Sequence, residues 1–222
     1  MPMDLSDLPE AKLNLINLVQ VEPAMLTSVS GAILCGGLNT RMHGLTKSLL
    51  PIGDQTFVQR LAQTLQAVCS EVFLITRTPK QYDSVPLPAY TDIFPLRCSL
   101  TGIHAALSHS GHKHVFITAC DTPLLNPEVI RVLLAQASGE DDVVVPVIGG
   151  YYEPLCAIYA QTCLSVTAEL LQAGRAKISA MYSQVRVRNV PESEIRRADP
   201  GLDSFLNVNT PQDLDRLRKH RS

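Results

Sequence analysis

The chain has 222 residues, of which 45% are hydrophobic and 18% charged, and its formal net charge is -2. A chain of this length can bury a full core without disulfides or structural metals, and its near-neutral charge gives no field-driven attraction to nucleic acid or an anionic membrane. The absence of tryptophan also argues against a base-stacking platform. These values predict an ordinary globular protein with neither nucleic acid nor a membrane among its partners.

Six cysteines are spread along the chain: Cys35, Cys69, Cys98, Cys120, Cys156 and Cys163. They form no CxxC pair, so the pattern does not indicate a zinc ribbon or a redox motif, and most lie among apolar residues as reduced, buried cysteines do. The N-terminus lacks a basic region followed by a long apolar run, and no apolar stretch has the length of a bilayer span. The expected location is therefore the cytosol.

Hydrophobic periodicity predicts alternating strands and helices from Val29 onward. The predicted strands are Val29–Leu34, Val72–Thr76, Val115–Ala119, Val143–Val147, Tyr151–Tyr159 and Val185–Val190. The predicted helices are Phe57–Val68, Thr101–His109, one capped by Asn126, Leu164–Leu171 and a last one beginning at Thr210. This order predicts an α/β fold, a mostly parallel sheet with helices on both faces and an antiparallel edge formed by the segment from Tyr151. We expect residues 28–222 to form a single domain and residues 1–27 a flexible N-terminal extension.

The segment after the first predicted strand has the features of a phosphate-binding loop. Gly36 and Gly37 have no side chains, so their backbone can approach a ligand closely, and consecutive N–H groups in such a turn form a nest for phosphate oxygens. Arg41 and Lys47 add positive charge. The segment is neither a P-loop nor a dinucleotide-binding fingerprint. Because ligands of open α/β sheets bind at the carboxyl ends of strands, this loop is the predicted anion site.

Two aspartates are candidates for binding a cation. Asp121 follows the strand Val115–Ala119 at its carboxyl end, where a carboxylate suits Mg²⁺ that also bridges to phosphate oxygens. A turn role is the structural alternative for an aspartate before Thr-Pro. Asp92 alone would be read as a loop residue. Together with Asp121 it is a candidate cation ligand, because two carboxylates at neighbouring strand ends can share one Mg²⁺ or contact its waters.

These groups predict phosphoryl chemistry that needs no protein nucleophile. An incoming phosphate would attack the α-phosphorus of a bound triphosphate and expel pyrophosphate, which requires in-line positioning and neutralised charge. Mg²⁺, Lys47 and Arg41 are the groups expected to supply that charge.

At these residues the chain resembles the molybdenum-cofactor guanylyltransferases, within the nucleotidyltransferase superfamily. The superfamily has a Rossmann-like, three-layer α/β/α fold of the nucleotide-diphospho-sugar-transferase type. The family pattern runs Leu-Ala-Gly-Gly, then Arg-Met-Gly, then Asp-Lys, and its counterparts here lie within residues 34–47. The matching segments are Leu34-Cys35-Gly36-Gly37, Arg41-Met42-His43-Gly44, Thr46-Lys47, Cys120-Asp121-Thr122-Pro123, Glu153–Tyr159 and Phe205–Leu214.

The resemblance implies that GTP and molybdopterin, or its molybdenum-loaded form, react to give the guanine dinucleotide cofactor and pyrophosphate, with Mg²⁺ as the cofactor. The residues that it assigns to the site are Leu34, Cys35, Gly36 and Gly37 along the nucleotide, Lys47 at phosphate, Thr76 and Asp92 at the nucleotide, and Asp121 at Mg²⁺. Thr76 occupies the position at which the family often has an asparagine that contacts the base or ribose. Candidates for the acceptor side are Glu153, Pro154, Asn207 and Asn209. Molybdenum-insertion proteins and molybdoenzymes are further candidate partners, and we expect a monomer or a weak homo-oligomer.

The chain departs from the family pattern at three places. His43 replaces a glycine, Thr46 replaces an aspartate, and Cys98–Gly102 stands where the family has Gly-Pro-Leu-Ala-Gly. Three alternatives therefore stay open: cytidylyl transfer to the same acceptor, nucleotidyl transfer to a sugar phosphate, and a non-catalytic nucleotide-binding partner of molybdoenzymes. Related cytidylyltransferases carry Ala-Gly where this chain has Gly36-Gly37, which favours guanine.

Overall fold

The computed structural model describes residues 29–36, 46–208 and Asp213. The strands of this part of the chain are β1 (Val29–Leu34), β2 (Pro51–Ile52), β3 (Gln55–Thr56), β4 (Glu71–Ile75), β5 (Ala89–Tyr90), β6 (His114–Ala119), β7 (Val143–Ile148), β8 (Tyr151–Tyr152), β9 (Cys156–Ala160) and β10 (Val187–Pro191). Its α-helices are α1 (Phe57–Gln66), α2 (Ser99–His109), α3 (Pro127–Gln136), α4 (Cys163–Gln172), α5 (Ser179–Tyr182) and α6 (Glu192–Ala198).

Eight of the described strands form one mixed sheet in the order β10–β7–β9–β6–β1–β4–β5, with β8 paired to β7. The neighbours β6, β1, β4 and β5 run parallel to one another, and β10 runs parallel to β7. Only β8 and β9 run in the opposite direction. The other two described strands, β2 and β3, form a separate hairpin.

Two hydrophobic cores cover the two faces of the sheet. Alternate residues of β1 point to opposite faces, so Val29 and Ile33 pack in the core that contains α1, α3 and α6. Ala32 and Leu34 pack in the core that contains α2, α4 and α5. The expected three-layer α/β/α arrangement with a mostly parallel sheet is therefore confirmed.

Local signals placed most element boundaries correctly. Thr56 caps α1 through a capping box with Gln59, and the Asn126 side chain accepts a hydrogen bond from Glu128 N at 2.9 Å to begin α3. Gly149 and Gly150 have φ angles of 57° and 84° and form the turn after β7. The short helices α5 and α6 are additions that hydrophobic periodicity did not predict.

The antiparallel strand lies inside the sheet and not at its edge. The predicted segment Tyr151–Tyr159 divides into β8 and β9, and β9 pairs with β6 on one side and β7 on the other. All five residues of β9 are buried, which is the pattern of a strand covered on both faces. The Gly149-Gly150 turn predicted an antiparallel partner for β7, and β8 and β9 both pair with β7 in this way. The expected edge location is wrong because β9 also pairs with β6.

Several sequence-based predictions fall outside the described residues. They are the extension 1–27, the loop residues Gly37, Arg41 and His43, Asn209, and the start of the last helix at Thr210. None of the helices in the described ranges combines the length and hydrophobicity that a membrane span requires.

The contact between β1 and α1 leaves no room for a side chain at Gly31. A Cβ atom there would lie 2.7 Å from Leu65 Cδ2 and 3.1 Å from Cys69 Sγ, and Leu65 is fully buried. We expect Gly31→Ala to lower the free energy of unfolding by about 1–3 kcal/mol, as overpacked cores do. Urea denaturation measures this, with Gly139→Ala as the control because no atom lies within 4 Å of its added Cβ. Equal stabilities of the two variants would contradict the packing argument.

Candidate active site

The carboxyl ends of β1, β4 and β6 open into a cavity of about 670 Å³. This volume lies in the range of small-molecule and cofactor sites. The cavity is lined by every predicted nucleotide-site residue that the structure describes: Leu34, Cys35, Gly36, Lys47, Thr76, Asp92 and Asp121. Residues that lie far apart in the chain thus meet at the edge where ligands of α/β sheets bind.

Asp121 is the electrostatic centre of this cavity. It is half-buried, and within the described part of the chain its shielded Oδ1 atom has no hydrogen-bond partner. Burial raises the pKa of this carboxyl, while the nearby Lys47 charge opposes the rise. A shielded carboxylate oxygen without a donor is destabilising unless a cation or another donor approaches it.

The donor set at Asp121 fits a hard divalent cation that is shared with a ligand. Mg²⁺ is commonly held by one or two protein carboxylates together with substrate phosphates and waters. Among the described residues, no group of three His, Cys, Asp or Glu side chains is arranged to hold a metal ion. The orphaned Oδ1 of Asp121 therefore fits a cation that arrives with a triphosphate better than a closed protein cage.

The ends of β1 and β6 are held in register as they enter the cavity. Leu34 pairs with Ala119, and Cys120 N donates to Leu34 O at 3.1 Å. On the other side of β1, Cys35 N donates to Ile75 O at 2.8 Å. These bonds fix the backbone from which Gly36 and Asp121 project.

Asp92 is held by an arginine that sequence reasoning did not single out. Arg77 Nη2 lies 3.2 Å from Asp92 Oδ1. The same nitrogen lies 3.1 Å from Phe94 O, 3.4 Å from Pro95 O and 3.1 Å from Leu96 O. Arg77 thus ties residues 92–96 to the end of β4 and fixes this wall of the cavity. Its position directly after a strand, one residue beyond Thr76, is the signal that would have found it.

Thr76 is buried directly after β4, next to Arg77 on the same side of the cavity. Its N–H donates to Tyr90 O at 2.9 Å, and its hydroxyl accepts from Thr78 N at 3.2 Å. The hydroxyl oxygen is therefore directed by the backbone, while its proton can be donated to a ligand.

The opposite side of the cavity contains the segments that were candidates for the acceptor. Glu153, Pro154 and Asn207 line it, and Val208 N donates to Asp121 O at 2.8 Å, which brings Asn207 beside the aspartate. Burial raises the pKa of the Glu153 carboxyl. One cavity thus has two walls, and Asp121 lies between them.

A mostly parallel α/β sheet whose strand ends open into a cavity with a shielded carboxylate is the arrangement of an α/β protein that binds its ligand at the sheet edge. A family model described as the MobA-like NTP transferase domain matches residues 31–187, and the chain belongs to this family. It is 39% identical to the molybdenum cofactor guanylyltransferase of Desulfosudis oleivorans, covering 86% of this chain and 95% of the relative.

Two further comparisons agree with this assignment. The probable molybdenum cofactor guanylyltransferase of Carboxydothermus hydrogenoformans is 36% identical, with coverage of 87% of this chain and 97% of that protein. The crystal structure of molybdopterin-guanine dinucleotide biosynthesis protein A from Archaeoglobus fulgidus superposes with a TM-score of 0.75 at 27% identity, covering 86% of this chain and 98% of that one. The similarity extends over most of the described residues.

We expect Asp121→Asn to separate activity from stability. The change removes a shielded charge whose burial is unfavourable, so the free energy of unfolding at neutral pH should stay equal or rise. Divalent-metal-dependent turnover should fall by about 100-fold or more, because a bound cation contributes several kcal/mol to charge stabilisation. Urea denaturation and pyrophosphate release measure the two effects. Wild-type turnover in this variant would remove Asp121 from the mechanism.

We expect Arg77→Ala to weaken nucleotide binding with little change of the fold. Loss of its hydrogen bonds to residues 92–96 would loosen one wall of the cavity, and a loss of about 1–3 kcal/mol corresponds to roughly 5- to 150-fold weaker binding. Equilibrium titration with GTP measures the effect. Arg197→Ala is the matched control, because its side chain pairs with Glu194 on the surface of α6. Equal affinities of the two variants would contradict the role of Arg77.

Proposed function

We propose that this protein transfers GMP from GTP to molybdopterin or molybdenum-molybdopterin, forming the guanine dinucleotide form of the molybdenum cofactor and pyrophosphate. The observation that carries the proposal is the shielded Asp121 carboxylate beside Lys47, in a cavity of about 670 Å³ at the end of β1. The relatives named as molybdenum cofactor guanylyltransferases, which match over nearly their full length, support the choice of substrates.

The reaction is an exchange of one phosphoanhydride bond for another. A phosphate oxygen of the acceptor attacks the α-phosphorus of GTP, and the bond from this phosphorus to the bridging oxygen of the β-phosphate breaks. Pyrophosphate leaves with that electron pair. The protein contributes positioning and charge, because no covalent enzyme intermediate is needed.

Each part of the cavity has a proposed role in this reaction. The backbone at Gly36 approaches the phosphates, and the Lys47 ammonium offsets their charge. Asp121 holds Mg²⁺, the cofactor that we propose, and when bound this ion neutralises charge on the phosphate oxygens. The role of Arg41 in the same loop stays a prediction, as does that of Gly37.

The two ends of the cavity suit the two substrates. On one side the Thr76 hydroxyl and the Asp92 carboxylate are polar groups of the kind that hydrogen-bond a guanine base or ribose. On the other side Glu153, Pro154 and Asn207 are proposed to contact the pterin. The cytosolic location, the single-domain organisation and the monomeric or weakly oligomeric state expected from the sequence stay predictions.

The test is pyrophosphate release by the purified protein with Mg²⁺, measured with GTP or CTP and with or without molybdopterin. We expect release that requires molybdopterin and is at least about tenfold faster with GTP than with CTP, since buried polar groups reject a base that leaves them unpaired. Preference for CTP would indicate a cytidylyltransferase. Release with a sugar phosphate and none with molybdopterin would overturn the acceptor, and GTP binding without any release would indicate a non-catalytic nucleotide-binding protein.

A further inference from the structure

The ends of β1 and β6 bring together two cysteines from distant parts of the chain. Leu34 and Ala119 are register partners in neighbouring parallel strands, and Cys35 and Cys120 are the next residue of each strand. Neighbouring strands lie about 4.8 Å apart. Disulfides join residues whose Cα atoms are about 4.4–6.8 Å apart, so the backbone spacing at this pair suits a disulfide.

The two thiols point to the same face of the sheet and lie close together. Both side chains pack against the core that contains α1 and α3, and the neighbouring Cys120 thiol adds to the effect of burial in raising the pKa of Cys35. Both residues are half-buried free cysteines and both line the nucleotide cavity. The cavity is therefore the route by which a small oxidant approaches the pair.

We propose that Cys35 and Cys120 are a site of reversible oxidative modification, at which an intramolecular disulfide forms and blocks nucleotide binding. The blocking part of this inference rests on the proposed nucleotide site. A hydroperoxide or a low-molecular-weight disulfide is the class of oxidant. With a hydroperoxide, the two thiols lose two protons and two electrons as the S–S bond forms, the O–O bond breaks, and the products are an alcohol or water together with one further water.

A chain of contacts connects this pair to the lysine beside Asp121. The Tyr82 hydroxyl lies near enough to the Cys35 thiol for each group to influence the pKa of the other, and it lies 2.6 Å from the buried Ser48 Oγ. Ser48 follows Lys47 directly, so a disulfide that draws Cys35 towards Cys120 would disturb the contact that positions the lysine segment. It would also cross-link the residue before Gly36 to the residue before Asp121.

The other cysteines have different surroundings. The Cys98 thiol lies 3.2 Å from Thr101 Oγ1, and the Cys163 thiol lies 3.3 Å from Asp142 O. Cys69 is buried beneath α1, and burial raises its pKa to about 12. Cys156 also lines the cavity and packs in the core that contains α1 and α3. It pairs with Thr118, two residues before Cys120, so among the six cysteines only Cys35 and Cys120 directly follow register partners of neighbouring strands.

The test oxidises the full chain with hydrogen peroxide for hours, because burial raises the pKa of the Cys35 thiol and slows its reaction. Peptide mapping without reduction should show a Cys35–Cys120 cross-link and a mass loss of about 2 Da for the two hydrogens removed. GTP affinity, measured by equilibrium titration, should fall at least about tenfold and return after treatment with a dithiol reductant. GTP added before the oxidant should slow the cross-link, because the nucleotide covers the cavity.

Each variant is compared with its own reduced form. Oxidation should leave the GTP affinity of Cys120→Ser unchanged, whereas Cys69→Ala should lose and regain affinity as the unaltered chain does. Two results for the oxidised protein would overturn the inference: no cross-link with GTP binding intact, or a cross-link that leaves the GTP affinity unchanged. Reduced protein that fails to bind GTP would instead overturn the proposed nucleotide site and the blocking effect with it, while the peptide map would still report on the disulfide.

Discussion

The interior position of β1 in the sheet is the constraint on which the site depends. All six of its residues are buried, and it is hydrogen-bonded to parallel strands on both sides. Parallel strands deliver their carboxyl ends to one edge of a sheet, so the chain leaving β1 must pass between the ends of β4 and β6. Backbone bonds continue this pairing beyond the strand, from Cys35 N to Ile75 O and from Cys120 N to Leu34 O. The cavity forms at this crowded edge.

The reversed strand β9 accounts for the second half of the cavity. Because β9 runs antiparallel to β6, its beginning lies beside the end of β6, with Cys156 paired to Thr118. The turn that precedes β9 therefore projects from the same edge as Asp121, and it carries Glu153 and Pro154. An edge position for this strand would have left that turn away from the central strands. The interior insertion thus gives the cavity its second wall.

The cavity contains a carboxylate, that of Asp121, whose burial lowers the stability of the fold. The shielded Oδ1 of Asp121 lacks a hydrogen-bond partner within the described ranges, and burial raises the pKa of its carboxyl. The charge of Lys47 opposes part of the rise in the Asp121 pKa. The hydrophobic cores on both faces of the sheet stabilise the fold enough to accommodate the remaining unfavourable free energy. An unsatisfied carboxylate beside a lysine is also a site prepared for a cation and a phosphate. The same feature is therefore a local weakness of the fold and the basis of its proposed chemistry.

Sequence patterns alone predicted the alternation of strands and helices, the cap at Asn126 and the turn at Gly149-Gly150, and they made Asp121 a candidate cation ligand. These features depend on residues within one or two turns of each other, so periodicity and turn chemistry suffice to find them. Three other features depend on tertiary contacts: the interior place of β9, the ion pair between Asp92 and Arg77 and the proximity of Cys35 to Cys120. The CxxC rule missed that last pair because its thiols meet across two strands rather than along one segment. Such contacts depend on which strands pair and in which register, and these are set by burial over the whole sheet.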